Sequence, residues 1–212
     1  MPDYELKLWN EESFDVNCNM YVKEAYMSKK YAFVSDYVRL FALYNYGGIY
    51  MDTDVEVIKN FDQFLSLPAF SGFETKIHIQ TGIMGSRQYG VWVKELLGYY
   101  SDLHFILADG SLNTVSNAIF ISQIMKAGGL KFNNTLQNYN GIVTIYPSDY
   151  FCPKSFDDGQ ISLTTNTFCI HHFAGSWISN SKKAKKFLAK MIGERKLKLI
   201  LRLKHNILHS IK

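Results

Sequence analysis

The feature that most constrains the fold is a helical segment that ends at two glycines and continues as a strand bearing two aspartates. Apolar residues recur at helical spacing from Tyr31 to Tyr46, and Gly47 and Gly48 then end the helix. Residues 49–58 are rich in β-branched and aromatic side chains, which predicts a strand. An acidic pair at the end of such a strand lies where α/β sheets commonly bind ligands.

Segments of strand and helix character fill the chain as far as residue 180. Strands are predicted at residues 4–8, 70–73, 77–84, 142–146 and 168–171, and helices at residues 22–28, 91–100 and 114–127. Strands that alternate with helices predict an α/β domain. We assign residues 1–180 to it, because no repeat or linker-like composition interrupts them.

The remaining residues form a basic tail. Residues 182–212 hold 11 lysines or arginines and one acid, Glu194, so they carry +10 of a total net charge of +4, which leaves −6 for the rest. Leucine and isoleucine recur among the cations at helical spacing, which predicts a basic amphipathic helix over residues 181–212. This helix either lies on an anionic membrane or packs against the acidic domain. A nucleic-acid partner is not indicated, because no recognised binding module is present.

The cysteine pattern favours a reducing compartment. Cys18, Cys152 and Cys169 form no closely spaced pair, so neither a disulfide framework nor a structural zinc site is indicated. The sequence opens with no signal-peptide pattern and has no apolar run of about 18 to 20 residues that could span a bilayer. We therefore expect a cytoplasmic protein, peripheral at the inner face of the membrane if its tail binds lipid.

Asp52 and Asp54 are the first candidates for chemistry. On a continuous strand both side chains point to the same face, since side chains alternate with a period of two. Paired carboxylates bind hard divalent ions such as Mg²⁺ and Mn²⁺ and leave coordination positions for a diphosphate. A solvated acidic turn is the competing interpretation, because two aspartates at this spacing are common by chance.

The residues around this pair resemble a known family. Ser35-Asp-Tyr-Val-Arg-Leu40 precedes Tyr44-Asn-Tyr-Gly-Gly-Ile-Tyr-Met-Asp-Thr-Asp54, and this block is similar to the DXD sugar-binding region of glycosyltransferase family 32. Bacterial capsular and lipopolysaccharide sugar transferases belong to that family, and the glucosylating toxins are more distant members. Further landmarks at residues 2–10, 83–86, 146–151 and 171–177 follow in the expected order.

The resemblance implies a fold and a donor. It implies a GT-A nucleotide-sandwich fold with a mixed, mostly parallel sheet, which binds a UDP- or GDP-sugar together with Mn²⁺ or Mg²⁺. The sugar would pass with retention of configuration to a saccharide or lipid-linked acceptor, in surface polysaccharide synthesis. The sequence identifies no residue as a covalent nucleophile. We therefore favour a mechanism in which the acceptor attacks the face of the sugar from which the leaving group departs.

The resemblance also assigns roles within the block. Asp54 would ligate the metal directly, whereas Asp52 would act through water or through the ribose and sugar. Asp36 and Arg39 would hold hydroxyl groups of the donor sugar, although their spacing also suits a plain surface ion pair on a helix. Tyr50 would stack on the nucleotide or sugar, with a core tyrosine as the alternative.

Two more parts of the donor site are implied at other positions. Ser35 would join Asp36 in binding the donor. In the late segment, His172 would complete the metal shell in preference to His171, and Ser176 and Trp177 would contact the β-phosphate. A core histidine is the alternative at position 172, because its neighbours are Ile170, His171 and Phe173.

One difference from the family leaves undecided whether the chain is catalytically active. Family members usually begin with a further strand that builds the edge of the nucleotide pocket, and this sequence begins after it. The expectation is therefore an α/β domain that lacks this first strand and is truncated relative to the family. A non-catalytic nucleotide-sugar-binding remnant is the main alternative. A phosphatase of the haloacid-dehalogenase type is less well supported, because Asp157-Asp158 does not follow an apolar strand.

Overall fold

Short helices and strands alternate along the chain. The computed structural model describes residues 3–155 and 158–174. The helices are α1 (Met20–Met27), α2 (Tyr31–Tyr46), α3 (Val91–Gly98), α4 (Asn117–Ala127) and α5 (Ser148–Phe151). The strands are β1 (Gly48–Met51), β2 (Val55–Val57), β3 (Ala69–Gly72), β4 (Ile83–Ser86), β5 (Gln137–Tyr139), β6 (Val143–Tyr146) and β7 (Cys169–His171). The predicted α/β class is confirmed, and the described residues as far as Phe173 form one compact unit.

The main sheet has five strands in the order β1-β4-β3-β6-β5. The pairs β1–β4, β3–β4 and β5–β6 are antiparallel, and only β3–β6 is parallel. The expectation of a mostly parallel sheet is therefore wrong for the described residues. The reason is connection length: β3 and β5 each pair with the next strand along the chain, and such short returns reverse the strand direction.

The strand predicted over residues 49–58 is divided between two sheets. β1 ends at Met51, and β2 begins at Val55 and pairs with β7 in a separate two-stranded antiparallel sheet. In that pair Val55 lies opposite His171 and Val57 opposite Cys169. The two aspartates therefore occupy the turn between the sheets rather than the middle of a strand.

The helix α2 has the bounds that the sequence predicts. It ends at Gly47, whose φ of 70° favours glycine, and a side chain there would also meet the backbone nitrogen of Gln88 at 2.7 Å. Leu40 and Leu43 are fully buried in the core. The helix leads directly into β1, so its buried face is fixed next to the turn that carries the aspartates.

Two hydrophobic clusters cover the two faces of the main sheet. The larger one contains Ala69 and Met84, whereas the smaller, phenylalanine-rich one contains Phe70 and Ile83. Because adjacent residues of a strand point to opposite faces, the clusters lie on opposite sides. Cys169 belongs to the smaller cluster, which places β7 and its partner β2 on that side of the sheet.

Other segments depart from the expectations. No strand forms over residues 4–8, and Leu6 and Leu8 are 79% and 74% exposed, so that prediction is wrong. The sequence also gave no sign of β5 or of the short helix α5.

The basic tail predicted over residues 181–212 lies outside the described residues, and its role and the two-part domain division remain predictions. Among the described residues, none of the helices could cross a bilayer.

Candidate metal centre

The turn between β1 and β2 presents the two aspartates. Asp52 continues the pairing of β1 with β4, because its backbone N–H donates to the Gly82 carbonyl at 2.8 Å. The Asp52 carbonyl then accepts from the Val55 N–H at 3.1 Å, which forms the turn. The Asp54 carbonyl accepts from the backbone N–H of His172 at 3.0 Å. Backbone hydrogen bonds to two separate segments therefore hold the turn.

Asp52, Asp54 and His171 form a three-residue group that could hold a metal ion, and we call these three residues the metal group. One ligand atom from each lies within 4.8 Å of the other two. The Nε2 atom of His171 is 3.3 Å from Asp54 Oδ1 and 3.8 Å from Asp52 Oδ2. The β2–β7 register produces this convergence, because it sets His171 opposite Val55, the residue after Asp54.

The chemistry of His171 suits a ligand. Burial lowers the pKa of His171, and the charges of Asp52 and Asp54 oppose that shift without reversing it. The imidazole is therefore neutral at pH 7, which is the form that binds metals. The two carboxylates are ligands that Mn²⁺ and Mg²⁺ prefer, and a neutral imidazole is a common ligand of metal ions in proteins. The ring packs against Gly82, where a Cβ atom would lie 2.7 Å from Nδ1.

The structure places the neighbouring histidine elsewhere. The Nε2 atom of His172 is 2.8 Å from Glu56 Oε2, and its side chain is 38% exposed. Its backbone carbonyl accepts from the Lys154 ammonium group at 2.7 Å. The predicted ligand His172 is thus outside the three-residue group, and His171, which the sequence ranked lower, takes that position because adjacent strand residues point to opposite faces.

A buried ion-pair network supports Asp52. Arg39 Nη2 lies 3.0 Å from Asp36 Oδ1 and 3.4 Å from Asp52 Oδ1. The same guanidinium donates to the Ser35 and Thr81 carbonyls. Asp36 and Arg39 are only 7% and 4% exposed, so the alternative of a surface ion pair does not describe them. In this structure they fix one of the two aspartates.

The network extends to α4 and to Tyr50. The second carboxylate oxygen of Asp36 accepts the backbone N–H of Asn117 at 3.1 Å, at the start of α4. Burial raises the pKa of Asp36 to about 6, against the opposing effect of Arg39. The Tyr50 hydroxyl donates to Asp52 Oδ1 at 2.8 Å, and the Arg39 guanidinium lies 4.8 Å from its ring centre. Tyr50 therefore orients Asp52 as well.

The remaining predicted residues have other positions. Ser35 donates its hydroxyl to the Ala32 carbonyl at 2.8 Å, within α2, and contributes its own carbonyl to Arg39. Ser176 and Trp177 lie outside the described residues, so their contact with a phosphate stays a prediction.

Glu74 is an acidic residue whose charge interacts with that of Asp52 and which was not predicted from the sequence. Glu74 follows β3 almost directly and is mostly buried, which raises its pKa to about 7, and the charge of Asp52 adds to that shift. The rule that singled out Asp52, an acid just beyond an apolar strand, also applies to Glu74. Applied to every strand, it would have found both.

The structure thus defines a carboxylate turn on an α/β domain that could hold a metal ion and that a buried arginine supports. Residues 1–71 match the family described as "Glycosyltransferase sugar-binding region containing DXD motif". This part of the chain is therefore similar to the DXD sugar-binding region of glycosyltransferase family 32, as the sequence indicates.

Three curated proteins are similar over longer or overlapping stretches. Inositol phosphoceramide mannosyltransferase 3 of Schizosaccharomyces pombe is 38% identical over 88 residues, which cover 40% of this chain and 25% of that protein. Two Saccharomyces cerevisiae proteins, the mannosyl phosphorylinositol ceramide synthases CSH1 and SUR1, are 28% and 26% identical. These alignments cover 70% and 73% of this chain and 41% of each yeast protein. The chain therefore spans between a quarter and about two fifths of these relatives, and no solved structure matches it.

Proposed function

We propose that this chain is a metal-dependent glycosyltransferase that transfers mannose from a nucleoside-diphosphate mannose to a hydroxyl group of a lipid-linked acceptor. The observation that carries the proposal is the convergence of Asp52, Asp54 and His171 within 4.8 Å, in a region that matches the DXD family. The names of the three relatives supply mannose and the inositol phosphoceramide acceptor as the first candidates.

The charges of the group favour a divalent ion. Arg39 is already bonded to both Asp36 and Asp52, so its charge is shared between them. The neutral imidazole of His171 lies next to both Asp52 and Asp54 and adds no positive charge to the group. Carboxylates packed this closely repel each other unless a cation lies between them. Asp52, Asp54 and His171 would hold Mn²⁺ or Mg²⁺, with open positions for the two phosphates of a donor.

The reaction needs a stabilised leaving group and a positioned sugar. The bond between the anomeric carbon and the diphosphate breaks, a bond to the acceptor oxygen forms, and the hydroxyl proton passes to an oxygen of the departing diphosphate. A divalent ion held by Asp52, Asp54 and His171 would supply positive charge that stabilises the departing diphosphate. Asp36, Arg39 and Tyr50 keep Asp52 in one orientation, and such preorganisation lowers the cost of reaching the transition state. Retention of configuration follows from the family resemblance and remains part of the proposal.

The acceptor is the least constrained part of the proposal. The three relatives are named for inositol phosphoceramides, which favours a lipid-linked acceptor over a polysaccharide. Surface polysaccharide synthesis, which the sequence also suggested, has no support from these relatives. The predicted cytoplasmic location and the membrane contact through residues 181–212 remain predictions, and that tail lies outside the described residues.

A donor screen tests the proposal. The full chain is incubated with Mn²⁺ and, in parallel, GDP-mannose, UDP-glucose and UDP-galactose, with inositol phosphoceramide in detergent as acceptor, and released nucleoside diphosphate is measured. We expect turnover with GDP-mannose that chelation of the metal abolishes. The variant Asp54→Asn should lose metal-stimulated turnover and stay folded, whereas Asp102→Asn, at an exposed turn, should match the wild type.

Two results would contradict the proposal. Full activity in Asp54→Asn would remove the metal group from the mechanism. Donor binding without turnover for every donor and acceptor would instead support the non-catalytic remnant.

A further inference from the structure

The polar network around Arg39 includes a fully buried asparagine that connects three helices. Asn117 is the first residue of α4. Its backbone N–H donates to Asp36 Oδ2 at 3.1 Å, and its side-chain amide donates to the Asp36 carbonyl at 2.6 Å. The side-chain oxygen of Asn117 accepts the Tyr100 hydroxyl at 2.5 Å. Because Asp36 belongs to α2 and Tyr100 lies just after α3, Asn117 links all three helices.

Tyr100 holds the Asn117 side chain in one orientation. Burial raises the pKa of the Tyr100 hydroxyl well above its ordinary value, and the charge of Asp36 adds to that shift, so the hydroxyl keeps its proton and donates. A buried amide that both donates and accepts has a single orientation, since a rotated amide would leave polar atoms unpaired. Asn117 therefore fixes both the main chain and the carboxylate of Asp36.

Asp36 and Asp52 share one nitrogen atom of Arg39. Nη2 lies 3.0 Å from Asp36 Oδ1 and 3.4 Å from Asp52 Oδ1, so Asp36 has the closer contact. Nη1 of the same guanidinium donates to the Thr81 carbonyl, and this bond together with Asp36 keeps the group from closing fully on Asp52. An arginine in full contact with a carboxylate makes it a weaker metal ligand, because the two positive charges repel each other.

The orientation of Asp52 depends on the same contacts. Its Oδ1 atom is the one that Arg39 and Tyr50 contact, whereas its Oδ2 atom lies 3.8 Å from His171 Nε2. Without a fixed Asp36, Arg39 would be free to close on Asp52 and to turn this carboxylate. The position of Asp36 thus affects both the charge and the direction of a residue of the metal group.

We propose that Asn117 is a positioning residue of the metal group. By holding Asp36 against Arg39, it keeps the carboxylate of Asp52 available to the divalent ion. The inference rests on the proposed function, because it requires that the metal group binds this ion. Asn117 acts through Asp36 and Arg39, since its own hydrogen bonds go to Asp36 and Tyr100.

Isothermal titration of the full chain with Mn²⁺ tests the inference without a donor or an acceptor. We expect Asn117→Ala to weaken Mn²⁺ binding roughly 3- to 10-fold, less than the 10- to 100-fold typical when a direct partner of a ligand is removed. Tyr100→Phe loses one hydrogen bond and keeps the ring, so it should weaken binding to a smaller extent. The control Ser122→Ala, which removes a buried hydroxyl of α4 that accepts the Ile79 N–H at 2.8 Å, should leave the Mn²⁺ affinity unchanged.

A double variant shows whether the effect passes through Asp36. Asp36→Asn keeps the size of the side chain but removes the charge that draws Arg39 away from Asp52. We expect it to weaken Mn²⁺ binding at least as much as Asn117→Ala does. Addition of Asn117→Ala to Asp36→Asn should then cause little further loss, because residues in one network are not additive. A general loss of packing would instead add to the effect of Asp36→Asn.

Thermal unfolding of each variant shows that it is folded at the temperature of the titration, and Tyr100→Phe serves as the test if Asn117→Ala does not fold. Three results would overturn the inference and leave the proposed function intact. These are wild-type Mn²⁺ affinity in both Asn117→Ala and Tyr100→Phe, equal losses in Asn117→Ala and Ser122→Ala, and additive losses in the double variant. Absence of Mn²⁺ binding by the wild type would instead refute the proposed function, and this inference with it.

Discussion

Arg39 is the residue that connects the helix α2 with the metal group. It lies between two aspartates and is 4% exposed, so these carboxylates rather than water compensate its positive charge. Replacing both partners of a buried ion pair by apolar residues often changes the free energy of unfolding little. Removing only one partner is strongly destabilising, because it leaves a buried charge uncompensated. The effect of a substitution therefore depends on which member of the network is changed.

Replacement of Arg39 by methionine should destabilise the protein strongly. Arg39→Met keeps much of the side-chain volume but leaves Asp36 and Asp52 facing each other without a cation, and we expect a loss of about 3–5 kcal/mol in the free energy of unfolding. Urea denaturation measures this loss. The matched control Lys94→Met, on the exposed side of α3, should change stability by less than about 0.5 kcal/mol. Equal effects of the two substitutions would show that the buried network does not matter.

The raised pKa of Glu74 predicts that the stability of the metal-free protein depends on pH. The pKa of Glu74 is about 7 in the folded chain against an ordinary value of 4.5, so between these values the folded state binds more protons than the unfolded state. Stability should therefore be greatest below about pH 4.5 as far as Glu74 is concerned, and should fall as the pH rises to 7, by about 3 kcal/mol.

Urea denaturation between pH 4.5 and 8 in the presence of a chelator tests this dependence. Glu74→Gln, which cannot ionise, should show a shallower decline than the wild type, and the remaining slope includes Asp36, whose pKa is also raised. Parallel curves for the two proteins would mean that Glu74 does not change its charge in this range.

At the scale of elements, the sequence predicts local structure better than pairing. The bounds of α2 and its end at Gly47 follow from local periodicity and backbone geometry, and the structure confirms them. The sequence offered the break of the β1–β2 segment only as the alternative of an acidic turn, because β-branched or aromatic residues lie on both sides of the aspartates and the break depends on the pairing of β2 with β7. For the same reason the sequence could not decide between His171 and His172, since the register with Val55 makes that choice.

The close contact between Gly82 and the ring of His171 links β4 to β7. A Cβ atom at position 82 would lie 2.7 Å from Nδ1 and 2.8 Å from Cε1 of the imidazole, so the ring must move. Gly82→Ala should therefore displace His171 from the two aspartates and weaken Mn²⁺ binding about tenfold or more, the effect typical of lost support for a ligand.

Isothermal titration with Mn²⁺ measures this effect. Gly98→Ala is the matched control, because a Cβ atom there has open space around it and the residue lies at the end of a helix. Equal Mn²⁺ affinity in Gly82→Ala and Gly98→Ala would show that the position of His171 does not determine metal binding.

At the scale of the described unit, the metal group connects two sheets that have no strand in common. Asp52 follows a strand of the five-stranded sheet, whereas His171 belongs to the two-stranded sheet. The side chains of both sheets meet in one phenylalanine-rich cluster, so the packing brings the ligands together before any ion is bound. The composition and charge of a chain cannot reveal such convergence, because it arises from contacts between residues more than a hundred positions apart.

An ion that bridges the two sheets should stabilise the whole unit. A ligand that binds only the folded state stabilises it by about 2.7 kcal/mol at a concentration of 100 times its Kd, which for a chain of this length raises the Tm by roughly 5–10 °C. Differential scanning calorimetry with and without Mn²⁺ should show this rise in the wild type. Asp52→Asn and Asp54→Asn should each lose most of it, and Asp102→Asn should retain it. A rise of equal size in all four proteins would place the bound ion elsewhere, because the group at the junction of the sheets would then contribute nothing to its binding.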